Sequence, residues 1–199
     1  MKLLVIIEDK FNDIELNTTL SVLVASGKLE SITYYSPNLK EASGQFNIVK
    51  ITNIVNSVNL NEFDLMFVPG GRGCQTLRQN QQSLELINKF FNDLNKPLAA
   101  ICDAPNVLAE FNIIKDQKYV SFFSEWSKPF WKDGKIINFN NWKNTPFTNI
   151  DRNLITASNA TASLDFGFTI LEYFYGEDFS NAVRSNMTFG KLTQPEFPS

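Results

Sequence analysis

Pro97-Leu98-Ala99-Ala100-Ile101-Cys102-Asp103-Ala104-Pro105 is the stretch on which the fold turns. Its first half, Pro97 to Ile101, is apolar without alternation, the pattern of a strand buried on both faces of a parallel sheet. Its second half puts a proline where a helix starts. Cys102 stands between them. A side chain at such a strand-to-helix turn is presented at the sheet edge, on a backbone so tight that the residues two before and two after must be small. Here they are Ala100 and Ala104. The pattern predicts a nucleophile elbow at Cys102, with the thiol pKa lowered by backbone N–H groups and the helix beyond. The competing reading is a small buried apolar residue that ends a strand.

On either side the same rhythm continues. Lys2 to Ile7, Ser31 to Tyr35, Asp64 to Val68, Tyr119 to Phe123 and Leu154 to Ala157 read as strands. Helices are expected over Asp13 to Ser26 with Gly27 as the stop, Ser83 to Leu94 with Ser83 as cap, Pro105 to Glu110, and Ala162 to Tyr175. A hairpin-like turn is expected around Gly44, with Phe46, Ile48 and Ile51 alternating after it. Strands alternating with helices predict an α/β three-layer sandwich with a mostly parallel central sheet, in one domain over residues 1–199. Residues 122–148 break the rhythm. They hold Trp126, Phe130, Trp131, Phe139, Trp142 and Phe147, including all three tryptophans of the chain. Two compatible readings are a β-hairpin or flap packed on the core and an aromatic lid over a pocket, with Trp126 as a substrate contact.

Composition narrows the chemistry. The 199 residues carry a net charge of -3, which gives no electrostatic reason to expect nucleic acid or an anionic membrane. No apolar run approaches the roughly 18 residues of a membrane span. The opening MKLLVIIEDKFNDIE has too short an apolar run for a signal peptide, so a cytoplasmic setting with reduced thiols at Cys74 and Cys102 is expected. The chain has no histidine. A Cys-His-Glu triad is therefore impossible, and two cysteines without histidine do not build a zinc site. Neither a metal nor a cofactor is expected.

Two further segments converge on the carboxyl edge of the predicted sheet, where ligands bind in open α/β folds. Pro69-Gly70-Gly71 ends a strand, and the Gly71 amide together with the Asp103 amide would form an oxyanion hole. Gly70 lets backbone approach a substrate. Glu15 opens the first helix; beside a thiolate its carboxyl would be driven toward the protonated form, while the alternative is a solvated first-turn glutamate. Asp103 is either a base aimed at the pocket or a helix N-cap. Cys74 is either a resolving thiol or a buried structural one.

These segments together, Asn12-Asp13-Ile14-Glu15, the PGG at Gly70 and Gly71, and AAIC followed by a small residue and proline, resemble the ThiJ/PfpI (DJ-one) superfamily. Asp151 to Ser158 and Ser163 to Phe166 look like its last strand and long helix. The resemblance implies a flavodoxin-like fold, a homodimer, Cys102 as nucleophile, Glu15 as its protonated partner, and Gly71 and Asp103 as oxyanion-hole donors. It implies a small-molecule substrate for a glyoxalase-, hydratase- or amidase-like reaction, or oxidation sensing at Cys102. Three positions depart from the pattern. Asp103 stands where protease-like members have histidine, Phe123 stands near a glyoxalase histidine, and Ser158 or one of its neighbours replaces an arginine of the last strand-helix turn. Peptidase activity is not expected, and Phe123 becomes a candidate substrate contact.

Overall fold

The computed structural model describes residues 1–131, 139–144 and 147–189. In chain order it builds β1 (Lys2–Ile6), α1 (Asp13–Ala25), β2 (Ser31–Tyr35), β3 (Ala42–Ser43), β4 (Lys50–Ile51), β5 (Ile54–Val55) and β6 (Leu65–Val68). There follow α2 (Gly73–Leu77), α3 (Gln81–Asn88), β7 (Leu98–Ile101), α4 (Ala104–Glu110), β8 (Thr148–Asp151), β9 (Leu154–Ala157), α5 (Ser163–Tyr175) and α6 (Glu177–Phe189). The main sheet has seven strands in the order β5-β2-β1-β6-β7-β9-β8, all parallel except β8, which runs antiparallel to β9.

Alternation along each buried strand divides the core. Leu4, Ile6, Met66, Val68, Leu98 and Ala100 face one layer, packed with Leu77, Leu84, Ile87, Val107 and Leu108 from α2, α3 and α4. Leu3, Val5, Leu65, Phe67, Ala99 and Ile101 face the other, against Leu16, Leu20, Leu23, Phe166 and Ile170 from α1 and α5. Both faces are covered, which is why these strands are apolar throughout. The chain passes from β1 to β2 on one side and returns to β6 on the other. The carboxyl ends of β1, β6 and β7 therefore flank the crevice where the strand order reverses, the ligand position of open α/β sheets.

Several expectations need correction. Tyr119 to Phe123 is extended but does not join the sheet as a strand: Tyr119 makes an isolated bridge to Trp142, and Val120 N–H donates to the Thr156 hydroxyl at 3.0 Å. Its place beside β9 is taken by β8. Asn80, not Ser83, caps α3, its side chain accepting the Ser83 N–H at 3.2 Å. The helix then loosens into a π turn at Lys89–Asp93. The turn at Gly44 does join a two-stranded hairpin, β3–β4, but Phe46 and Ile48 lie exposed in its loop rather than in a strand. In the aromatic segment the described residues form short 3-10 turns at Lys128–Phe130 and Phe139–Asn141; residues 132–138 and 145–146 lie outside the description. No helix among the described residues is long and apolar enough to cross a membrane.

Candidate active site

Cys102 follows β7 with φ at 64°, in the left-handed region that a non-glycine residue enters only under constraint. The constraints are visible on both sides. Its N–H donates to Ala157 O at 2.9 Å, and its carbonyl accepts the Phe122 N–H at 2.8 Å. Pinned from two elements, the turn lifts the thiol out of the sheet. Gly70 packs directly on it: a Cβ there would stand 2.7 Å from Cys102 Cβ and 2.6 Å from Glu15 Oε2. Any side chain at Gly70 would separate the thiol from the carboxyl. Gly71 has φ at 92°, and a Cβ there would meet Asn12 N at 2.5 Å. The Gly-Gly pair is thus required by close approach at one residue and by backbone hand at the next.

Glu15 is fully buried in the first turn of α1, whose N-cap is Asn12. Its Oε2 accepts the Gly70 N–H at 2.8 Å. Oε1 has no nitrogen or oxygen partner among the described residues, and the Cys102 thiol is the carboxyl's remaining hydrogen-bonding neighbour. Burial pushes the Glu15 pKa up to about 7, against the lowering effect of the bonds to Cys102 and Gly70. Since Oε2 must accept, a proton on this carboxyl belongs on Oε1, free to donate to sulfur.

The expectation of a depressed thiol is corrected. Burial pushes Cys102 well up, and the Glu15 charge adds to it, followed by the neighbouring Cys74. The α4 helix offered as compensation has only seven residues. Thiol and carboxyl therefore titrate as a pair, and the anion moves to sulfur only with the proton on Glu15.

The Asp103 side chain makes no N-cap bond to α4. Its two oxygens receive Arg78 Nη1 at 2.8 Å and Nη2 at 3.1 Å, Gln75 Nε2 at 3.1 Å and Asn106 Nδ2 at 3.0 Å. Arg78 in turn binds Glu110 through Nε at 2.8 Å and Nη2 at 2.6 Å. All three charged residues are buried, so Asp103 is committed to this cluster rather than poised as a base. Cys74 is also buried and its thiol faces Pro69 O at 3.9 Å, a structural position.

A cavity of about 490 Å³ opens above the thiol, lined by Glu15, Gly71, Cys102 and Asp103, and by Phe122 and Trp126 from the aromatic segment. Phe123 is not on this wall, contrary to expectation. It turns to the opposite side and packs edge-on against Trp131 at 5.9 Å and Trp142 at 5.1 Å. Trp126 lies against Phe130 at 5.3 Å. The segment is therefore both core packing and pocket wall. The N–H groups of Gly71 and Asp103 meet no protein acceptor among the described residues. Asn12, Gln45, Arg72, Gln75 and Asn159 also line the cavity and were not singled out from the sequence. Only Arg72 carried a signal, as the cation directly after the glycine pair. The described residues hold no metal-binding cluster.

A strained cysteine between a parallel strand and a helix, with a buried carboxyl behind it, defines the nucleophile-elbow class of α/β proteins. Within that class the chain belongs to the DJ-1/PfpI family, whose sequence profile matches residues 1–173. It is 34% identical to the uncharacterized protein MG029 of Mycoplasma genitalium over 191 residues, 95% of this chain and 96% of that one. To a protein named Deglycase PfpI of Pyrococcus furiosus it is 27% identical over 147 residues, 71% of this chain and 87% of the relative. The crystal structure of VC2308 protein superposes with a TM-score of 0.78 at 19% identity, covering 96% and 94% of the two chains. Oxidized Toxoplasma gondii DJ-1 superposes at 0.76 with 17% identity, covering 94% and 98%. These structures share the flavodoxin-like fold.

Proposed function

We propose that the chain is a cysteine-dependent hydrolase or lyase of amidase, hydratase or glyoxalase type, acting on a small electrophilic carbonyl or C–N carbon. The observation that carries this reading is the Cys102 thiol, at φ 64°, sharing a cavity with a buried carboxyl whose pKa is about 7. With the proton on Glu15, sulfur attacks the carbon and forms the S–C bond. The carbonyl π pair moves to oxygen, which the Gly71 and Asp103 N–H groups would receive. Protonation of that oxygen, directly or through water, draws on Glu15. Nothing is oxidised or reduced in the addition. Asp103 enters through its backbone, since Arg78 occupies its carboxylate. Without histidine, a Cys-His peptidase triad cannot form within the chain. A homodimer in the cytoplasm belongs to the same reading; sedimentation at twice the monomer mass is the expected result.

The pH dependence of alkylation tests the pair. Below pH about 7 both groups hold protons and labelling of Cys102 by iodoacetamide is slow; rising through about 7 the pair loses one proton and the rate climbs, then levels. Glu15→Gln should erase that step, and Cys102→Ala should abolish turnover on methylglyoxal, isonitriles or simple amides. A profile in which Glu15→Gln keeps the inflection near pH 7 would exclude the pair.

A second reading rests on the absence of histidine, which peroxide chemistry does not need. Thiolate attacks one peroxide oxygen, the S–O bond forms, the O–O bond breaks, and hydroxide leaves with a proton from Glu15 or solvent. Selective oxygen uptake at Cys102 by intact mass, with no turnover on the substrate panel, would favour this sensor role over the enzyme.

A further inference from the structure

The polar groups around the cavity are divided unequally between donors and acceptors. Each side-chain amide there has its orientation fixed by a partner that only donates or only accepts. Asn12 Oδ1 receives the N–H groups of Ile14 at 3.0 Å and Glu15 at 3.4 Å. Gln45 Oε1 receives the Arg72 N–H at 3.0 Å. Asn159 Oδ1 receives the Thr161 N–H at 3.0 Å. Gln75 Oε1 takes Arg78 Nη1 at 2.9 Å, while its Nε2 donates to Asp103 at 3.1 Å. Both Asp103 oxygens are filled and its charge is met by Arg78. Each side-chain amide oxygen and both Asp103 oxygens thus already hold a donor from the protein itself, while Glu15 Oε1 is directed to the thiol.

Donors remain. Asn12 Nδ2 and Gln45 Nε2 have no acceptor among the described residues, and neither do the backbone N–H groups of Gly71 and Asp103. The Arg72 guanidinium forms no ion pair with any described carboxylate; it lies over the Trp126 ring at 5.9 Å, at the same cavity. A ligand that brings N–H groups finds hydroxyls such as Ser124, Ser127 and Thr161 but no uncommitted carboxylate, whereas one that brings acceptors and negative charge satisfies four donors and a cation. Leaving such donors unpaired beneath a bound ligand is costly, so their excess selects for an anion.

We propose that the cavity is built for a small carboxylate, with the carboxylate on Arg72 and Gln45 and the adjoining carbonyl carbon over the Cys102 sulfur: a 2-oxo acid or a close relative. This deepens, and rests on, the assignment of Cys102 as the nucleophile. Trp126 holds the guanidinium in place by its ring face, as cation and aromatic pairs do. Gly71 places Arg72 one residue from the oxyanion donor, so a carboxylate and a neighbouring carbonyl oxygen address adjacent residues of one turn.

Two measurements separate the substrate class from the nucleophile. In the Cys102→Ala background, calorimetry with pyruvate should show binding that methylglyoxal, its neutral counterpart, does not match, and Arg72→Gln should weaken it about tenfold, the scale of one charged hydrogen bond. In the protein with Cys102 intact, the rate of alkylation by iodoacetate relative to iodoacetamide is read by intact mass; sulfur displaces iodide and the thiol proton goes to solvent. Arg72→Gln should lower that ratio about tenfold. Equal affinity for pyruvate and methylglyoxal, or a ratio unmoved by the substitution, would overturn the carboxylate assignment while leaving Cys102 reactive. Arg72-dependent pyruvate binding with Cys102 inert to both reagents would instead uphold the anion subsite and remove the nucleophile.

Discussion

Asp103 and Arg78 are separated by 25 positions and joined by two hydrogen bonds, and that join decides what the residue after the nucleophile does. An aspartate beside a cysteine reads from sequence as a base or a cap. In the fold it is one arm of a buried Asp103–Arg78–Glu110 cluster, with Arg78 only 8% exposed. Neutral replacement of the cation strands two carboxylates in the core, where removal of one partner from a buried ion pair costs about 3–5 kcal/mol. Arg78→Met is expected to lose about that much in urea denaturation, and adding Asp103→Asn to it should restore part of the loss. A variant as stable as the parent would show that the cluster is solvated. Nothing local announces this cluster, because Arg78 follows α2 while Asp103 and Glu110 stand at the two ends of α4, and no pattern along the chain joins the two helices. Glu15 is different: an acidic residue opening the helix after the first strand was visible as a candidate, although its burial was not.

The β3–β4 hairpin belongs to the element scale, since it is fastened to α1 by one side chain. Asp13, in the first turn of α1, accepts the N–H groups of Phe46 at 2.8 Å, Ile48 at 3.0 Å and Val49 at 2.8 Å. Desolvation works to raise its pKa, and the three backbone donors outweigh it and hold the carboxyl below its ordinary value. The loop so anchored carries Gln45 to the cavity. Asp13→Ala should cost about 1–3 kcal/mol for the stranded donors, with faster hydrogen exchange at Phe46, Ile48 and Val49. Unchanged exchange there would mean the loop is held by other contacts. The sequence gives the turn at Gly44 but not its fastening, and it gives β7 and β9 but not β8 or α6. Thr148–Asp151 is an edge strand with Ile150 as its one apolar residue, and Glu177–Phe189 is polar over most of its surface, so neither presents the continuous apolar run that betrays a buried element.

Across the described residues, burial shifts two carboxyls toward the protonated form. Burial raises Glu15 to about 7 and also raises Glu8, which is bonded to Asn80 and Ser83. A group bound more tightly to its proton in the folded state stabilises the fold fully below its unfolded value, here 4.5 for Glu15, and loses that contribution as pH rises through about 7. Thermal unfolding is therefore expected to show stability declining from pH about 4.5 to about 7. Glu15→Gln should flatten the decline, and Glu8→Gln should do so further. A parent curve that instead rises over this interval would show that lowered carboxyls such as Asp13 dominate the proton balance.

Read by itself, the chain specified the parallel α/β sheet, the elbow at Cys102 and the Gly70-Gly71 turn, because each is written in contiguous residues: apolar runs, paired alanines, glycines where no side chain fits. The three-dimensional arrangement alone decided which aromatic reaches the cavity. In an extended segment neighbouring side chains point opposite ways, so Phe122 lines the wall while Phe123 packs behind it. It alone also decided the electrostatics of the site, since burial beside Gly70 raises Glu15 and Arg78 pairs with the Asp103 carboxylate. Those are effects of distance and desolvation between residues far apart in the chain, and no local spacing encodes them.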